Sequence, residues 1–376
     1  MRTAIDLIVR RLRLRNPWNY KAPLLIAFPY FAIGAGRVPW DRAMFAIVAA
    51  LCTIAGIAGV AYFLNDLTDA RQDRLAGKDN AVADLLWPQR LLLFVLFLTA
   101  ALAPWLYLPF TRATGALLVA ELGLFIVYCF PPFRLKERAF WGIAADATYA
   151  HALPAVLAML TFALLASEPY RDLRIVAVTL GAWQFAVGMR NIALHQLHDR
   201  ERDARAGART LAITFGAAKL ERLLRVVFVP LEIATFAVFL VVLTRSIPWL
   251  PLACAIYVVA ATIRLKVLQQ PFPATIRDAL YVFADNFYAD WLPLVVLGFM
   301  IASVPSTWPI GVLHLLVFRN GVRQSIRDAR GYLVAPMAAE RTSRAPTRET
   351  GRCTQPINGR SFTIRNSRRS LRSSAT

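Results

Sequence analysis

The sequence has little charge, cysteine or histidine, and each shortage excludes a class of protein. Only 18% of its 376 residues are charged and 57% are hydrophobic, whereas a soluble domain usually carries about 25% charged residues. Its four cysteines are scattered without a CxxC pair, so neither a disulfide framework nor a zinc site is indicated. Four histidines, two of them clustered, argue against a transition-metal centre.

Signatures of several enzyme classes are also missing. The sequence contains no Walker loop, no dinucleotide fingerprint and no Ser-His-Asp order. Chemistry that depends on ATP, NAD or acyl transfer therefore has no support.

Long apolar runs are abundant instead. Several have about 18–22 residues, the length of a helix that crosses a bilayer. They predict an all-α, polytopic membrane protein with about nine transmembrane helices in a bundle, joined by links too short for a second folded domain. The predicted spans are Trp18–Gly36, Ala43–Leu64, Leu91–Phe110, Ala113–Phe130, Ala144–Leu165, Ile175–Leu194, Val226–Leu243, Ile247–Ile263 and Leu292–Val312.

The net charge of +20 reflects how basic residues are distributed between the two sides of the membrane, and it does not indicate a nucleic-acid-binding surface. Alternate connections of the predicted bundle hold 24 Lys and Arg on one side, Arg190 among them, and 6 on the other. The positive-inside rule then places the N-terminus and the basic loops in the cytoplasm. We expect a protein of the bacterial inner membrane whose partners are an anionic substrate and membrane lipid, with no nucleic acid.

Two terminal segments flank the predicted membrane domain, residues 18–313. Residues 1–17 are basic and are interpreted as an interfacial arm, because no signal-peptide cleavage motif stands out. Residues 317–376 contain 13 arginines, no lysine and three acids, which predicts disorder. Nine spans from a cytoplasmic N-terminus place this tail outside, against the charge rule. Either the span count is off by one or the tail is not under ordinary selection.

Three carboxylates follow the second predicted span. Asp66, Asp69 and Asp73 come directly after the apolar run that ends at Leu64, with the spacing i, i+3, i+7. On a helix they share one face. Clustered like charges repel one another unless a cation lies among them. The cluster is therefore either a hydrated helix end or a cation site.

A second cluster repeats this pattern. Both read Asp-x3-Asp-x2-Ala-Gly, starting at Asp69 and Asp199, and both follow a span on the same predicted side. His195, Asp199 and Asp203 again share one helical face. Because both motifs follow a predicted span on the same side, duplication or convergent evolution of a site explains their similarity better than a chance match. Two facing carboxylate sets suit Mg²⁺, which prefers oxygen ligands and shares them with substrate phosphates.

A basic segment lies between the two clusters. After Tyr128 a pair of prolines stops the helix, and Arg134 and Lys136 follow. These cations are either ordinary basic residues that anchor a helix end at the cytoplasmic surface, or they face the carboxylates and donate hydrogen bonds to a bound anion. Asp146 and His151 lie near the start of the next predicted span. An ionisable residue within a membrane is by default a candidate functional residue.

Together these motifs resemble those of the UbiA-type intramembrane prenyltransferases, in the family's order and over roughly Trp18 to Val312. The nine predicted spans agree with that family. The segment from Lys78 to Val82 departs from it, because many members have a basic Asn-Arg-Pro turn there, which puts the diphosphate clamp and the acceptor class in question. The resemblance rests on Asn65-Asp66-x2-Asp69-x3-Asp73, on Tyr128 with Pro131-Pro132-x-Arg134-x-Lys136, and on Asp199-x3-Asp203 with Gly207 and Thr210.

The resemblance implies a Mg²⁺-dependent prenyltransferase with a central cavity that opens to the cytoplasmic side. An isoprenoid diphosphate would ionise to an allylic cation in a dry, aromatic-lined chamber, and an acceptor would attack its carbon. The implied metal ligands are Asn65, Asp66, Asp69, Asp73, Asp199 and Asp203, of which Asp69, Asp73, Asp199 and Asp203 are the catalytic residues. The implied substrate-binding residues are Tyr128, Arg134, Lys136, Lys78 and, near the acceptor, His195.

Several alternatives stay open. An aromatic quinone precursor such as 4-hydroxybenzoate is the expected acceptor, but a lipid or a sugar phosphate would also serve. His195 is equally well explained as a helix-packing residue. A transporter would use the carboxylates as a cation path, although it would place charge within its spans. A CDP-alcohol phosphotransferase also uses aspartates and Mg²⁺, but its Asp-Gly-x2-Ala-Arg signature is absent.

Overall fold

The chain folds as a bundle of helices, in agreement with the predicted all-α class. The computed structural model describes residues 15–77, 80–167, 170, 172–267, 279–319 and 321, and these contain no strand. The helices are α1 (Arg15–Tyr20), α2 (Ala22–Ala35), α3 (Trp40–Ala76), α4 (Trp87–Leu102), α5 (Arg112–Cys129), α6 (Ala139–Ala163), α7 (Leu173–Arg205), α8 (Ala217–Leu243), α9 (Leu250–Val267), α10 (Val282–Ser303) and α11 (Trp308–Val317).

Seven of these helices, α3 to α8 and α10, are long and apolar enough to cross a membrane. The shorter apolar helices Ala22–Ala35 and Leu250–Ile263 correspond to the first and eighth predicted spans. The last predicted span, Leu292–Val312, is wrong as a single helix. It breaks at Val304, because a residue before proline avoids the helical conformation and Pro305 follows. A membrane bundle is confirmed, and the count of nine crossings stays a prediction.

The short helix α2 forms the centre of the bundle. Twelve of its fourteen residues are buried, and it packs against α3, α6 and α10. A helix that is apolar all round is enclosed by protein. Phe28 of α2 contacts Trp183 of α7 edge to face, with 6.3 Å between the ring centroids. The core around α2 thus fixes the relative positions of α3 and α7.

α3 and α7 extend well beyond a membrane span and carry the two carboxylate clusters. They have 37 and 33 residues, which makes them roughly 55 and 50 Å long, against about 30 Å of hydrocarbon. Helical structure continues through both clusters. Just beyond them, Gly77 and Gly207 adopt left-handed conformations with φ of 64° and 69°. The glycine common to the two motifs therefore stops a helix.

We expect Gly56→Ala to destabilise the contact between α3 and α4. A Cβ atom at Gly56 would lie 2.2 Å from the backbone nitrogen of Ala101, so the two helices would have to separate, at a loss of about 1–3 kcal/mol of unfolding free energy. Gly123→Ala on α5 is the matched control, because its Cβ would meet no atom within 4 Å. Thermal unfolding in detergent compares them, and equal stability of the two variants would contradict the prediction.

Candidate active site

The first carboxylate cluster occupies the last turns of α3, and Asn80 holds the following segment against it. The Oδ2 atom of buried Asp66 accepts a hydrogen bond from the backbone N–H of Ala81 at 3.1 Å. Asn80 Nδ2 donates to the Asp66 carbonyl oxygen at 2.7 Å and to Asp73 Oδ2 at 2.8 Å. Asn80 lies where the sequence departs from the family pattern, and sequence reasoning gave it no role. It fixes the segment that follows the cluster.

Asp69 is the point where the basic segment meets this cluster. Arg134 Nη2 donates to Asp69 Oδ1 at 2.9 Å, and Lys136 Nζ donates to the same oxygen at 2.5 Å. Lys136 also donates to Thr68 Oγ1 at 3.2 Å and Asn65 Oδ1 at 3.4 Å. Arg134 and Lys136 therefore both contact the carboxylate motif directly. Basic residues that only anchored a helix end at the membrane surface would not need these contacts.

Gln72 and Glu137, which the sequence analysis did not select, fix the guanidinium of Arg134. Arg134 donates to Gln72 Oε1 through Nη2 and to Glu137 Oε1 through Nε, both at 2.6 Å. Gln72 Nε2 donates to Glu137 Oε1 at 2.7 Å. Partial burial favours a higher pKa for Glu137, but hydrogen bonds from Gln72 and Arg134 outweigh it and lower that pKa. The ionised Glu137 thus aims Arg134 at α3. The i, i+3 spacing of Arg134 and Glu137 in the sequence was the signal from which this ion pair could have been predicted.

The second carboxylate cluster occupies the end of α7. Asp199 lies 3.5 Å from His195 Nδ1 and 3.7 Å from Arg202 Nη1. The His195 side chain is 67% exposed, so it is not buried as a helix-packing residue would be. Its neighbour Gln196 is buried and accepts hydrogen bonds from the backbone N–H groups of Leu211 and Ala212 at 3.0 and 3.4 Å. Gln196 therefore holds the turn after α7.

Tyr128 lies in the last turn of α5, directly before the basic segment. It is within electrostatic range of Asp69 and Asp203, one from each cluster, and α3 contacts α7. Tyr149 lies 5.1 Å from Tyr128 between ring centroids and donates to Asp146 Oδ1 at 2.9 Å. Tyr128, which begins the basic segment and contacts Tyr149, therefore lies within electrostatic range of both clusters.

A cavity of about 220 Å³ lies between α2, α6, α7 and α10, and Asn191 in its wall precedes Asp199 on α7 by eight residues, a distance of roughly 12 Å. Lys21 in the same wall and His195 of the second cluster are both within electrostatic range of Asp146. A concave space with apolar walls and a few polar groups is typical of a small-molecule site. Its polar lining includes Lys21, His151, Gln184, Asn191 and Asp285, and its apolar lining includes Leu24, Leu25 and Val187.

Arg190 lies inside the bundle, whereas the charge count from the sequence placed it among the basic residues at the membrane surface. Its side chain is 0% exposed and joins three helices. Nε and Nη2 donate to the Glu232 carboxylate of α8 at 2.5 and 3.2 Å, and Nη2 lies 2.8 Å from Asp285 Oδ1 of α10. Glu232 was the signal that could have revealed this, because a lone acid inside a predicted span needs a partner.

The donor set fits magnesium only if a substrate supplies further ligands. In the described part of the chain, no three His, Cys, Asp or Glu side chains are grouped to hold a metal ion by themselves. The available atoms are carboxylate and amide oxygens, which Mg²⁺ prefers, and Mg²⁺ commonly shares its ligands between carboxylates and phosphates. Lys78, another predicted site residue, lies outside the described residues.

Comparison with known proteins gives the family. The UbiA prenyltransferase family matches residues 22–291. A UbiA homologue from Archaeoglobus fulgidus bound to GPP and Mg²⁺ has a TM-score of 0.47 and 18% identity, covering 88% of this chain and 99% of that one. A structure of digeranylgeranylglyceryl phosphate synthase has a TM-score of 0.49 and 13% identity, covering 81% and 98%. No curated protein was found to match the sequence. Because the family match spans well over half of its length, the chain belongs to the UbiA prenyltransferase family.

Proposed function

We propose that the chain transfers a prenyl group from an isoprenoid diphosphate to a small acceptor in a Mg²⁺-dependent reaction. One observation carries this proposal: Arg134 and Lys136 both contact Asp69 of the first aspartate cluster, and the helix that carries this cluster contacts the helix that carries the second. Carboxylates from two helices, cations on the rim and an adjoining cavity are what a metal-bound diphosphate with an apolar tail requires.

In this proposal Arg134 and Lys136 bind the diphosphate. In the structure both rest on Asp69, so they are held ready beside the clusters and exchange a carboxylate for phosphate oxygens. Glu137 and Gln72 keep the guanidinium of Arg134 oriented during the exchange. The basic pair then stabilises the negative charge that develops on the leaving diphosphate.

The clusters would hold magnesium between the two helix ends. The assigned ligands are Asn65, Asp66, Asp69, Asp73, Asp199 and Asp203, and substrate phosphates complete the set. When bound, the metal neutralises charge on the departing oxygens and so assists ionisation of the C–O bond. Asp69, Asp73, Asp199 and Asp203 are the catalytic residues in this proposal.

Tyr128 and Tyr149 would shield the allylic cation. Their rings lie against each other, and Phe125 packs on Tyr149 at 5.1 Å between centroids. Aromatic faces attract cations, and a water-excluding wall prevents hydrolysis of the cation. His195, exposed beside Asp199, is assigned to the acceptor side.

The acceptor we propose is an aromatic quinone precursor of the 4-hydroxybenzoate type. The adjoining cavity of about 220 Å³ suits one substituted ring, since a dry cavity of about 150 Å³ holds benzene. A sugar phosphate or a glycerophosphate lipid carries more charge, and Lys21 is the one lysine or arginine among the residues that line this cavity. These acceptors remain the alternative.

The proposal predicts product formation that requires magnesium. Purified protein is incubated with isoprenoid diphosphates of increasing length and a panel of aromatic, lipid and sugar-phosphate acceptors, and products are identified by mass. We expect a prenylated aromatic product that disappears with a chelator and returns with Mg²⁺. Transfer that persists in chelator would contradict the metal assignment. Cation flux in proteoliposomes without any prenyl transfer would favour a transporter.

A further inference from the structure

The main cavity, of about 220 Å³, has one lysine and one carboxylate in its wall. Lys21 lies in the turn between α1 and α2, and Asp285 lies near the start of α10. Neither residue belongs to the aspartate clusters or to the basic segment, and the sequence analysis selected neither as a site residue. A molecule that enters this cavity therefore meets a basic group and an acidic group from two separate elements of the bundle.

Arg190 holds Asp285 in the cavity wall, although Glu232 already balances its charge. Arg190 Nη2 lies 2.8 Å from Asp285 Oδ1, while both oxygens of Glu232 accept hydrogen bonds from the same guanidinium. The Asp285 side chain is 35% exposed, against 0% for Arg190 and 2% for Glu232. Of the two carboxylates, Asp285 is thus the one that a bound molecule can reach. An ionised carboxylate only accepts hydrogen bonds, so it selects a donor.

Lys21 lies toward the aromatic pair of the candidate active site. It is within electrostatic range of Asp146, whose Oδ1 atom accepts a hydrogen bond from Tyr149, the neighbour of Tyr128. None of the ion pairs in the described part of the chain includes Lys21. A partly buried ammonium group is costly unless anions surround it. Asp146 supplies one negative charge at longer range, and an anionic group bound in the cavity would supply a second one in contact.

We propose that Lys21 and Asp285 determine the acceptor specificity: Lys21 binds an anionic group of the acceptor, and Asp285 accepts a hydrogen bond from its hydroxyl. This assignment rests on the proposed transfer function and names the two groups that the acceptor must carry. A carboxylate and a phosphate both provide an anion. Because Lys21 is the one lysine or arginine in the lining and the volume suits one ring, the occupant is a hydroxy-substituted aromatic acid.

Calorimetric titration of the full-length protein in detergent tests this recognition without turnover. The probes are 4-hydroxybenzoate, its methyl ester, 4-methoxybenzoate and ribose 5-phosphate, each added in the presence of Mg²⁺ and inorganic pyrophosphate, which provide no prenyl group. We expect 4-hydroxybenzoate to bind roughly tenfold more tightly than the ester, which lacks the charge, and than the methoxy acid, which lacks the donor. Equal affinity for the acid and the ester would overturn the proposal. Tighter binding of ribose 5-phosphate would overturn the choice of an aromatic acid.

Substitutions assign each preference to one residue. In Lys21→Met the acid should lose its advantage over the ester, whereas Lys21→Arg should keep it. In Asp285→Asn the hydroxy acid should lose most of its advantage over the methoxy acid and keep its advantage over the ester, since a neutral amide accepts a weaker hydrogen bond. The controls are Lys219→Met, at an exposed position of α8, and Asp172→Asn, whose partner Arg245 is exposed. Unchanged preferences in Lys21→Met and Asp285→Asn would overturn the proposal.

Kinetics separate a failure of this assignment from a failure of the transfer reaction. With an active protein, Lys21→Met should raise the KM for 4-hydroxybenzoate roughly tenfold and leave the KM for the isoprenoid diphosphate unchanged. Transfer with an unchanged acceptor KM would overturn the role of Lys21 and leave the reaction standing. Selective binding of the hydroxy acid without any transfer would support the cavity assignment and overturn the reaction. If a variant fails to fold, the comparison of acid, ester and methoxy acid on the unsubstituted protein still decides.

Discussion

Prenyl transfer is expected to fall by about a thousandfold when Asp69 is replaced by asparagine. Asparagine keeps the size of the side chain and removes the charge that Arg134 and Lys136 now contact at 2.9 and 2.5 Å. A neutral amide is a weaker ligand for a divalent metal than a carboxylate, and it no longer balances the charge of the two cations. Asp199→Asn, in the second cluster, should cause a loss of similar size. Initial rates with saturating isoprenoid diphosphate measure both.

The same two helices supply matched controls. Asp41 lies in the first turn of α3, and Asp172 directly precedes α7 and pairs with exposed Arg245 at 3.0 Å. Asp41→Asn and Asp172→Asn therefore remove one carboxylate from the opposite end of each helix. They should leave the rate within a factor of about two, since exposed ion pairs contribute little. Equal rates for Asp69→Asn and Asp41→Asn would refute the assigned role.

Binding without catalysis separates the two functions of Asp69. If its carboxylate holds Arg134 and Lys136 in the absence of substrate, Asp69→Asn frees both cations. Metal-free pyrophosphate should then bind more tightly to Asp69→Asn than to the unsubstituted protein, although turnover is lost. Calorimetry in chelator measures this affinity. Weaker binding would show that Asp69 supports the anion site itself and does not compete for its cations.

The sequence points to a candidate site because its residues repeat a spacing at matched positions. Asp69 and Asp199 begin the same pattern after separate apolar runs, and the structure places the two patterns at the ends of α3 and α7. Part of that likeness has a simpler origin. The terminal glycine of each motif adopts a left-handed conformation and ends its helix.

Residues that act through tertiary contacts were missed. Glu137 and Asn80 lie outside any repeat, and their partners are separated from them by 65 and 14 residues, respectively. Gln196 adjoins the second cluster, and its amide oxygen accepts backbone hydrogen bonds from a later turn. Such roles depend on which segments pack together, and periodicity along one helix does not contain that information.

Arg190 was misassigned for a related reason. A positive-inside count treats every basic residue near a span end as facing water. The guanidinium instead turns inward to Glu232 and Asp285, where pairing with two carboxylates makes burial of the charge tolerable. Without Arg190 the count is still 23 to 6, so the predicted orientation does not depend on this residue.

Replacing Arg190 by methionine should lower the unfolding free energy by about 3–5 kcal/mol. The loss comes less from the missing hydrogen bonds than from the carboxylates of Glu232 and Asp285, which would remain near each other without a counter-charge. Arg245→Met is the matched control, because its exposed pair with Asp172 should contribute at most about 1 kcal/mol. Unfolding in detergent, followed by thermal or denaturant titration, measures both variants.

Neutralising the partners distinguishes an uncompensated charge from lost packing. In the triple variant Arg190→Met, Glu232→Gln, Asp285→Asn, no carboxylate of this group is left without its counter-charge, so stability should recover most of what Arg190→Met loses. If the triple variant is as unstable as Arg190→Met, the arginine acts mainly by filling space between α7, α8 and α10. Recovery would instead show that the three charges stabilise the bundle only as a set. The effects of such residues are then strongly non-additive, and the helices around the main cavity are held together by a group whose members cannot be removed one at a time.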